Sequence, residues 1–443
     1  MSFPRYPEYK DSGVKWLGEV PAHWEVLPCR AIVHERTAKN EGATCQDYLS
    51  LMANVGIIPY AEKGDVGNKK PEDLSKCKMV AQGDFVINSM NYGIGSYGLS
   101  DYDGVCSPVY IVLKPQGCVV ESRFAYRVFE NRAFQTYAQS FGNGILEHRC
   151  AINWDILKPI GVGVPPIDEQ KTILAFLDRE TAKIDALVTE QRRLIELLKE
   201  KRQAVISHAV TKGLNPAAPM KPSGIEWLGD VPAHWEVKPL KYSITKIEQG
   251  WSPQCWSEPA AEDEWGVLKV GCVNREQFDY NEQKRLPLEL EPQPIYEIKP
   301  RDILMSRGNT LELVGSATFV AEVRPRLLLS DLLYRFRAKP ERVEGEFLVL
   351  SLRSPNVRYQ IERDATGTSP SMKKIGQGII REFVIAIPPL SEQHEIIAFI
   401  KDETAKLDTL TTEAQRAIDL FQERRSALIS AAVTGQIDVR AAM

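Results

Sequence analysis

Residues 165–211 read PPIDEQKTILAFLDRETAKIDALVTEQRRLIELLKEKRQAVISHAVT, and residues 388–434 read PPLSEQHEIIAFIKDETAKLDTLTTEAQRAIDLFQERRSALISAAVT. The two stretches align without a gap, and about half of their positions are identical. Chance does not give such a match over that length, so the chain contains an internal repeat. This repeat predicts a chain in which two variable segments alternate with two similar ones.

The repeated stretches have the pattern of long helices that pair as a coiled coil. After the opening Pro-Pro pair neither contains Gly or Pro, and charged residues fill the positions between the apolar ones. Gly213 and Gly435 are the predicted stops. Ordinary core packing is the alternative to pairing, and two copies of matched length favour pairing. The predicted seam comprises Ile184, Leu187, Gln191, Leu194, Leu198, Lys201, Val205 and His208, and then Leu407, Leu410, Ala414, Ala417, Phe421, Arg424, Leu428 and Ala431.

The connector between the first helix and the next segment decides the direction of pairing. Residues 213–223 read GLNPAAPMKPS and reach at most about 35 Å when fully stretched. A helix of about 35 residues spans about 50 Å. The second helix therefore runs back most easily, which predicts an antiparallel pair, one globular domain at each end and a pseudo-twofold axis between them.

The two globular segments share a pattern of short strands and a few helices. Residues 83–99, GDFVINSMNYGIGSYGL, and residues 301–320, RDILMSRGNTLELVGSATFV, each place a polar turn between two strand-like runs. The predicted fold class is α+β, with two similar domains separated by two long helices. The expected boundaries are residues 1–164 and 214–387 for the globular domains and residues 165–213 and 388–443 for the helical spacers.

A second repeat precedes each variable segment. Residues 16–26 read WLGEVPAHWEV, and residues 227–237 read WLGDVPAHWEV. His23 and His234 lie in these apolar stretches, where a lone histidine is more often structural than catalytic. The tryptophans are predicted to pack the domain edge against the helices or against a partner subunit.

Composition excludes several classes of protein. The chain has 443 residues and a formal net charge of −4, so DNA binding would need local basic patches. No window approaches 18 uncharged apolar residues, and the start MSFPRYPEYKDSG does not resemble a signal peptide, so we expect a cytoplasmic protein without a membrane span. The eight cysteines form no CxxC pair, which argues against a zinc site or a disulfide framework.

The motifs of the sequence favour a chain without catalytic or metal-binding residues. The two Pro-Pro pairs open helices, so an (N/D)PP(Y/F) methyltransferase loop is absent, and no GxxxxGK(S/T) phosphate-binding loop occurs. Residues 93–98, GIGSYG, match GxGxxG, but DYDGVCSPVYIVL follows where a long helix is required, which favours a glycine-rich turn near DNA. Asp279 with residues 297–299, EIK, is a chance-level match to a nuclease centre.

The repeated motifs resemble the specificity subunit of type I restriction–modification systems, in which two target-recognition domains alternate with two similar helical regions. The PP-x-x-EQ entries, the ETAKID-L and ETAKLD-L runs, the ends ISHAVTKG and ISAAVTGQ and the WLG-VPAHWEV pair carry this resemblance. It covers nearly the whole chain, and the duplicated order of the motifs is its most specific feature.

The resemblance implies a non-catalytic subunit that binds a bipartite double-stranded DNA target, each domain reading one half. It further implies two copies of a methyltransferase subunit and a restriction/translocase subunit as partners. The partners would hold S-adenosylmethionine, ATP and Mg²⁺, with no cofactor on this chain. Partner contact is predicted at Trp16, Trp24, Trp227 and Trp235.

Base reading needs donors and acceptors such as Arg to guanine and Asn to adenine. The alternative for each residue is an ordinary role in turn geometry. The predicted DNA-binding residues are Asn88, Ser89, Asn91, Tyr92, Asn143 and Arg149 in the first domain, and Ser306, Arg307, Asn309, Thr368, Ser369, Lys373 and Lys374 in the second. The two lysines are expected to contact phosphates.

Three alternatives stay open on sequence grounds. The first alternative is a specificity subunit of another methylation-based defence complex. The second is a coiled-coil scaffold that binds only proteins, and the third is a self-sufficient nuclease. The scaffold predicts no salt-dependent DNA binding, and the nuclease predicts metal-dependent cleavage by the isolated chain.

Overall fold

The computed structural model describes residues 3–65, 69–142, 151–367 and 372–440. The chain divides into two compact units, which we call unit 1 (residues 1–192 with 415–443) and unit 2 (residues 193–414). Each unit holds one globular domain, part of the first long helix and part of the second. Within the described ranges, no helix combines the length and the apolar character needed to cross a membrane.

In its described residues, unit 1 contains short strands, four short α-helices and the start of a 46-residue helix. Its strands are β1 Tyr9–Asp11, β2 Glu19–Pro21, β3 Glu25–Pro28, β4 Val33–Glu35, β5 Leu49–Met52, β6 Gly56–Pro59, β7 Lys78–Val80, β8 Phe85–Asn88, β9 Tyr97–Leu99, β10 Gly104–Cys106, β11 Tyr110–Pro115 and β12 Gly161–Val164. Its helices are α1 Cys29–Ile32, α2 Ser122–Glu130, α3 Arg132–Gln139, α4 Trp154–Leu157 and α5 Ile167–Lys212, the last of which continues into unit 2.

Unit 2 has the same kinds of element. Its strands are β13 Met220–Pro222, β14 Asp230–Pro232, β15 Glu236–Pro239, β16 Glu248–Gln249, β17 Gly266–Leu268, β18 Gln283–Arg285, β19 Ile303–Ser306, β20 Gly308–Asn309, β21 Ala317–Phe319, β22 Leu327–Leu328, β23 Leu333–Phe336, β24 Lys373–Lys374 and β25 Val384–Ile387. Its helices are α6 Gly345–Leu352, α7 Pro355–Asp364, α8 Gln377–Glu382 and α9 Leu390–Val433, which continues into unit 1.

The central sheets of the two units have the same topology. The strand order is β4-β11-β8-β9 in unit 1 and β16-β23-β19-β21 in unit 2, with antiparallel neighbours throughout. The strand that ends the WLG-VPAHWEV motif pairs with the strand that leads into Pro-Pro, as β3 with β12 and as β15 with β25. The prediction of one α+β domain built twice is confirmed.

The long helices are built into the core of each unit. In unit 1, Leu177 of α5 and Ile429 of α9 belong to the same buried cluster, so the early part of α5 lies with the late part of α9. In unit 2 the order is reversed, because Ile206 of α5 clusters with Ile396 of α9. The helices therefore run antiparallel, as the short connector predicts.

Both long helices begin and end where the sequence predicts. Each starts within two residues of its Pro-Pro pair. Gly213 and Gly435 follow the last turns with φ of +76° and +73°, a left-handed conformation that favours glycine. A Cβ on Gly435 would lie 2.3 Å from Cδ of Pro21, so glycine is also required sterically there.

The predicted seam of the helix pair is partly wrong. Ile184, Leu198, Leu407 and Ala414 are buried as predicted. Leu187 and Leu194 are instead 46% and 41% exposed, and Leu410 is 47% exposed, whereas Val188 and Ile418 are buried. The apolar stripe on each helix is wider than a seam, and packing against the globular domains selects which row is covered.

Candidate nucleic-acid interface

Glu169, in the first turn of α5, holds the repeated WLG-VPAHWEV motif of unit 1. Its Oε1 accepts hydrogen bonds from Trp24 Nε1 at 3.0 Å and from the Tyr6 hydroxyl at 2.6 Å, and its Oε2 lies 2.8 Å from His23 Nε2. Burial, together with the bond to Glu169, raises the pKa of Tyr6, so this hydroxyl keeps its proton and donates. We call this arrangement the latch of unit 1.

Unit 2 has the equivalent latch around Glu392. Trp235 Nε1 donates to Glu392 Oε2 at 3.1 Å, and His234 Nε2 lies 2.7 Å from the same oxygen. The position equivalent to Tyr6 is Ala217, so this latch has one donor fewer. The two histidines therefore have a structural partner, in agreement with the sequence interpretation.

The glutamine that follows each latch glutamate joins the long helix to the globular domain. Gln170 Oε1 accepts from the backbone N–H of Glu121, which precedes α2, at 2.8 Å, and Gln393 Oε1 accepts from that of Glu344, which precedes α6, at 2.8 Å. Both glutamines are completely buried. The glutamine of each PP-x-x-EQ motif thus connects the long helix to the globular domain, and we call this contact the glutamine joint. Both the glutamine and its partner in unit 1 are equivalent to the residues 223 positions later in unit 2.

The latch buries two of the four tryptophans predicted to contact a partner. Trp24 and Trp235 are 0% and 1% exposed, which leaves their side chains no surface for another protein. They pack against the long helices, which is one of the two alternatives predicted from the sequence; the other was contact with a partner subunit. Trp16 and Trp227 are half-buried, and their contact with a partner stays a prediction.

The half-buried tryptophans lie against α3 in unit 1 and near α7 in unit 2. Trp16 donates from Nε1 to the carbonyl of Gly161 at 2.9 Å, and its ring meets Phe134 of α3 edge-on at 5.3 Å. In unit 2, Trp227 lies 6.3 Å from the ring of Tyr359 in α7. In both units, therefore, this tryptophan lies near an aromatic ring of a helix of the globular domain, with a different ring geometry.

The polar turn of unit 1 connects β8 to β9. Ser89 and Asn91 are half-buried and belong to this turn. Asn88 is buried, and its Oδ1 accepts from the Met90 N–H at 3.1 Å. Tyr92 is completely buried, and its hydroxyl donates to the carbonyl of Phe129 at 2.5 Å. Burial leaves Tyr92 no surface for DNA, so this side chain supports the turn from below.

The corresponding turn of unit 2 brings distant candidates together. Strand β24, with Lys373 and Lys374, pairs with β20, with Asn309, and the Ile375 N–H donates to the carbonyl of Arg307 at 3.0 Å. Arg307 and Asn309 are half-buried and Lys374 is exposed. These four residues therefore lie on one short two-stranded ribbon, in which Lys373 is the direct partner of Asn309 and Lys374 that of Gly308. Its donors and positive charge suit a nucleic acid backbone and base edges.

The remaining candidates do not join that ribbon. Ser306 is completely buried and donates from Oγ to the carbonyl of Leu313 at 2.7 Å, so its role is internal. Asn143, Arg149, Thr368 and Ser369 lie outside the described residues. Their contact with DNA stays a prediction.

A comparison with known families gives the decisive observation. A family model described as the type I restriction modification DNA specificity domain matches residues 39–197 and again residues 258–419. The two matches together span more than half of the chain.

The chain belongs to this family.

Relatives of this specificity subunit carry the same description. It is 30% identical to the type I restriction enzyme EcoEI specificity subunit of Escherichia coli over 240 residues, which are 54% of this chain and 40% of that one. It is 25% identical to the EcoKI specificity subunit of Escherichia coli strain K12 over 451 residues, which cover 95% of this chain and 90% of that one.

A solved structure of the type I R-M system confirms the fold of the specificity subunit. The structure concerns the complex assembly and conformational transition of that system. One of its chains aligns with 94% of the present chain, over 98% of the length of the solved chain. The TM-score is 0.68 at 15% sequence identity. This likeness extends over both domains and both long helices.

Two polar residues beside these turns were not among the predicted candidates. Asn54, between β5 and β6, donates from its backbone N–H to the carbonyl of Gly95 at 2.9 Å and so lies beside the β8–β9 turn. Asn274 accepts from Asn309 Nδ2 at 3.1 Å. The Asn-Val-Gly turn at residues 54–56 is a sequence signal for the first. The contact of Asn274 depends on the tertiary fold.

Proposed function

We propose that this specificity subunit is non-catalytic and reads a split double-stranded DNA target, one half with each unit. The observation that supports this most directly is the pair of equivalent sheets that end in unlike polar turns. In unit 1 the β8–β9 turn presents Ser89 and Asn91. In unit 2 the equivalent place presents Arg307 and Asn309, with Lys374 beside them. Equal scaffolds with different donors and acceptors read different base sequences.

Under this proposal, partner subunits catalyse the methylation and restriction reactions. A methyltransferase subunit supplies S-adenosylmethionine, and a restriction/translocase subunit supplies the sites for ATP and Mg²⁺, while this chain binds no cofactor. The complex works in the cytoplasm, where its DNA lies. The absence of methyltransferase and phosphate-loop motifs from the sequence supports this division of labour.

Methylation mapping tests the proposal. The chain is expressed with its methyltransferase partner, and modified bases are located across a genome. We expect a methylated motif of two short parts separated by a fixed, unspecified spacer. A continuous motif would contradict reading by two units, and methylation by the chain without its partner would contradict the non-catalytic role.

Exposed leucines on the long helices support two methyltransferase copies. Leu187 and Leu410 occupy equivalent positions and are 46% and 47% exposed, and Leu197 and Leu420 are equivalent and 50% and 55% exposed. In unit 1, Asp185, Val188, Thr189 and Arg192 of α5 line a cleft beneath the globular domain. By the helical period Leu187 and Leu420 point away from that cleft, so they offer apolar surface to another subunit.

The number of bound methyltransferase copies tests this surface. Replacing Leu187 and Leu420 by Glu should reduce the complex from two copies to one, as measured by mass photometry. Glu196, on the same helix and paired with Lys199, provides the control, since Glu196→Lys should leave two copies bound. Two copies on the leucine variant would place the docking surface elsewhere.

A further inference from the structure

One ion pair between globular domain and long helix occurs in both units with its charges reversed. In unit 1, Arg123 of α2 donates both terminal nitrogens to Asp178 of α5, at 2.6 and 2.9 Å. In unit 2, Lys401 of α9 lies 2.5 Å from Glu346 of α6. The domain is positive and the helix negative in unit 1, and the signs are exchanged in unit 2.

The residues of the two pairs occupy equivalent positions. Asp178 and Lys401 are 223 residues apart, as are Arg123 and Glu346. The buried glutamine joints establish the same equivalence structurally, because each binds the backbone N–H two residues before the charged residue, at Glu121 and at Glu344. The reversal is therefore a difference at one joint and not a comparison of unrelated surface pairs.

Several contacts between the domain and the helix are common to both units and do not distinguish them. The latch glutamate, its tryptophan and histidine, and the glutamine joint are the same residue types in both copies. Either domain would satisfy them at either helix. The charge pair is different, because an arginine at the place of Glu346 would face Lys401, and Arg301 lines the same cleft.

We propose that this charge-reversed pair matches each recognition domain to its own helix. Arg123 with Asp178, and Glu346 with Lys401, are positioning residues that favour the native combination and penalise the exchanged one through like-charge contact. A recognition domain and the first three turns of the helix after it thus form one matched set. Moving a domain to the other position without its helix residue loses one attraction and gains one repulsion.

The size of the effect follows from exposure. The side chains are 55% and 39% exposed in the unit 1 pair, and those of Lys401 and Glu346 are 66% and 35% exposed. Solvent screens such pairs, so breaking one should raise the local opening constant about three- to fivefold. The forked geometry of Arg123 places its pair toward the upper end of that range.

Hydrogen exchange of the full chain measures each unit separately. Lys401→Asp and Glu346→Arg should each speed exchange in α6 about three- to fivefold, with α2 unchanged. Combining the two substitutions gives unit 2 the charges of unit 1 and should return the α6 rate to within twofold of the natural chain. Failure of the double variant to recover would contradict charge matching, since a merely structural role gives no rescue.

A domain transplant gives the sharpest test. Residues 27–160 replace residues 238–383, so that the first recognition domain occupies both positions and the copy of Arg123 faces Lys401. In this chimera Lys401→Asp should slow exchange in the transplanted α2, whereas the same substitution speeds exchange in α6 of the natural chain. An effect of the same sign in both backgrounds, or no effect, would overturn the proposal. The readout needs neither DNA nor a partner, so its outcome is independent of the proposed function.

Discussion

Arg202 of α5 donates to Asp408 of α9 at 2.6 Å in unit 2, and the equivalent residues make the same pair in unit 1. There, Arg425 Nε donates to Asp185 Oδ1 at 3.0 Å, with the arginine on the second helix and the aspartate on the first. Each arginine also binds a glutamate of its own domain, Glu276 in unit 2 or Glu130 in unit 1. One repeated arginine therefore links both helices and the domain in each unit.

The two acidic partners of Arg202 should contribute unequally to stability. Glu276 receives two hydrogen bonds from this arginine, at 2.5 and 3.1 Å, whereas Asp408 receives one and is 65% exposed. We expect Asp408→Ala to lower the free energy of unfolding by less than about 1 kcal/mol and Glu276→Ala by more than Asp408→Ala. Urea unfolding of the full chain measures both, and a larger loss for Asp408→Ala would contradict the geometry.

Removing a latch glutamate should destabilise unit 1 more than unit 2. Glu169→Ala leaves the buried Trp24 N–H and the buried Tyr6 hydroxyl without an acceptor, which costs about 2–4 kcal/mol. Glu392→Ala leaves Trp235 alone in that state, because His234 is exposed to water. Thermal unfolding compares the two variants. Asp168→Ala is the control, since this side chain is 98% exposed and should change little.

The helix stop at Gly435 should tolerate no side chain. Gly435→Ala combines a φ of +73° with a Cβ 2.3 Å from Pro21, so we expect a loss of about 2 kcal/mol or more. Gly376→Ala is a matched control, because a Cβ there meets nothing within 4 Å. Equal unfolding temperatures for the two variants would show that the last turn of α9 relaxes freely.

The reading surface of unit 2 should separate into a base-reading and a phosphate-binding part. Arg307→Ala should weaken binding to the natural target by about 1–3 kcal/mol and relax one base position. Lys374→Ala should weaken binding to all sequences alike and reduce the salt slope by about one. Fluorescence titrations at several salt concentrations distinguish these outcomes. Unchanged affinity and sequence preference for Arg307→Ala would remove that residue from the interface.

Local sequence features account for what could be predicted of the fold. Pro165-Pro166 and Pro388-Pro389 fix the helix starts, Gly213 and Gly435 fix the stops, and the connector length fixes the antiparallel direction. These features act over a few residues or through simple chain geometry, so a single sequence contains them.

Long-range packing accounts for what could not be predicted. Leu187 fits a seam by spacing and is nevertheless exposed, because contact with the globular domain decides which apolar row is covered. Tyr92 lies in a polar turn and Ser306 ends β19 before one, but both side chains are buried. Glu169 belongs to the repeated PP-x-x-EQ motif, but its partner Trp24 comes 145 residues earlier in the chain. Each outcome depends on tertiary neighbours that the letters do not specify.

We propose that each unit reads its own half of one DNA target. This proposal is tested most directly by replacing residues 27–160 with the equivalent segment of another specificity subunit and mapping methylation by the complex. We predict that one half of the split motif changes while the other half and the spacer stay as they were. A change in both halves, or in neither, would contradict independent reading by the two units.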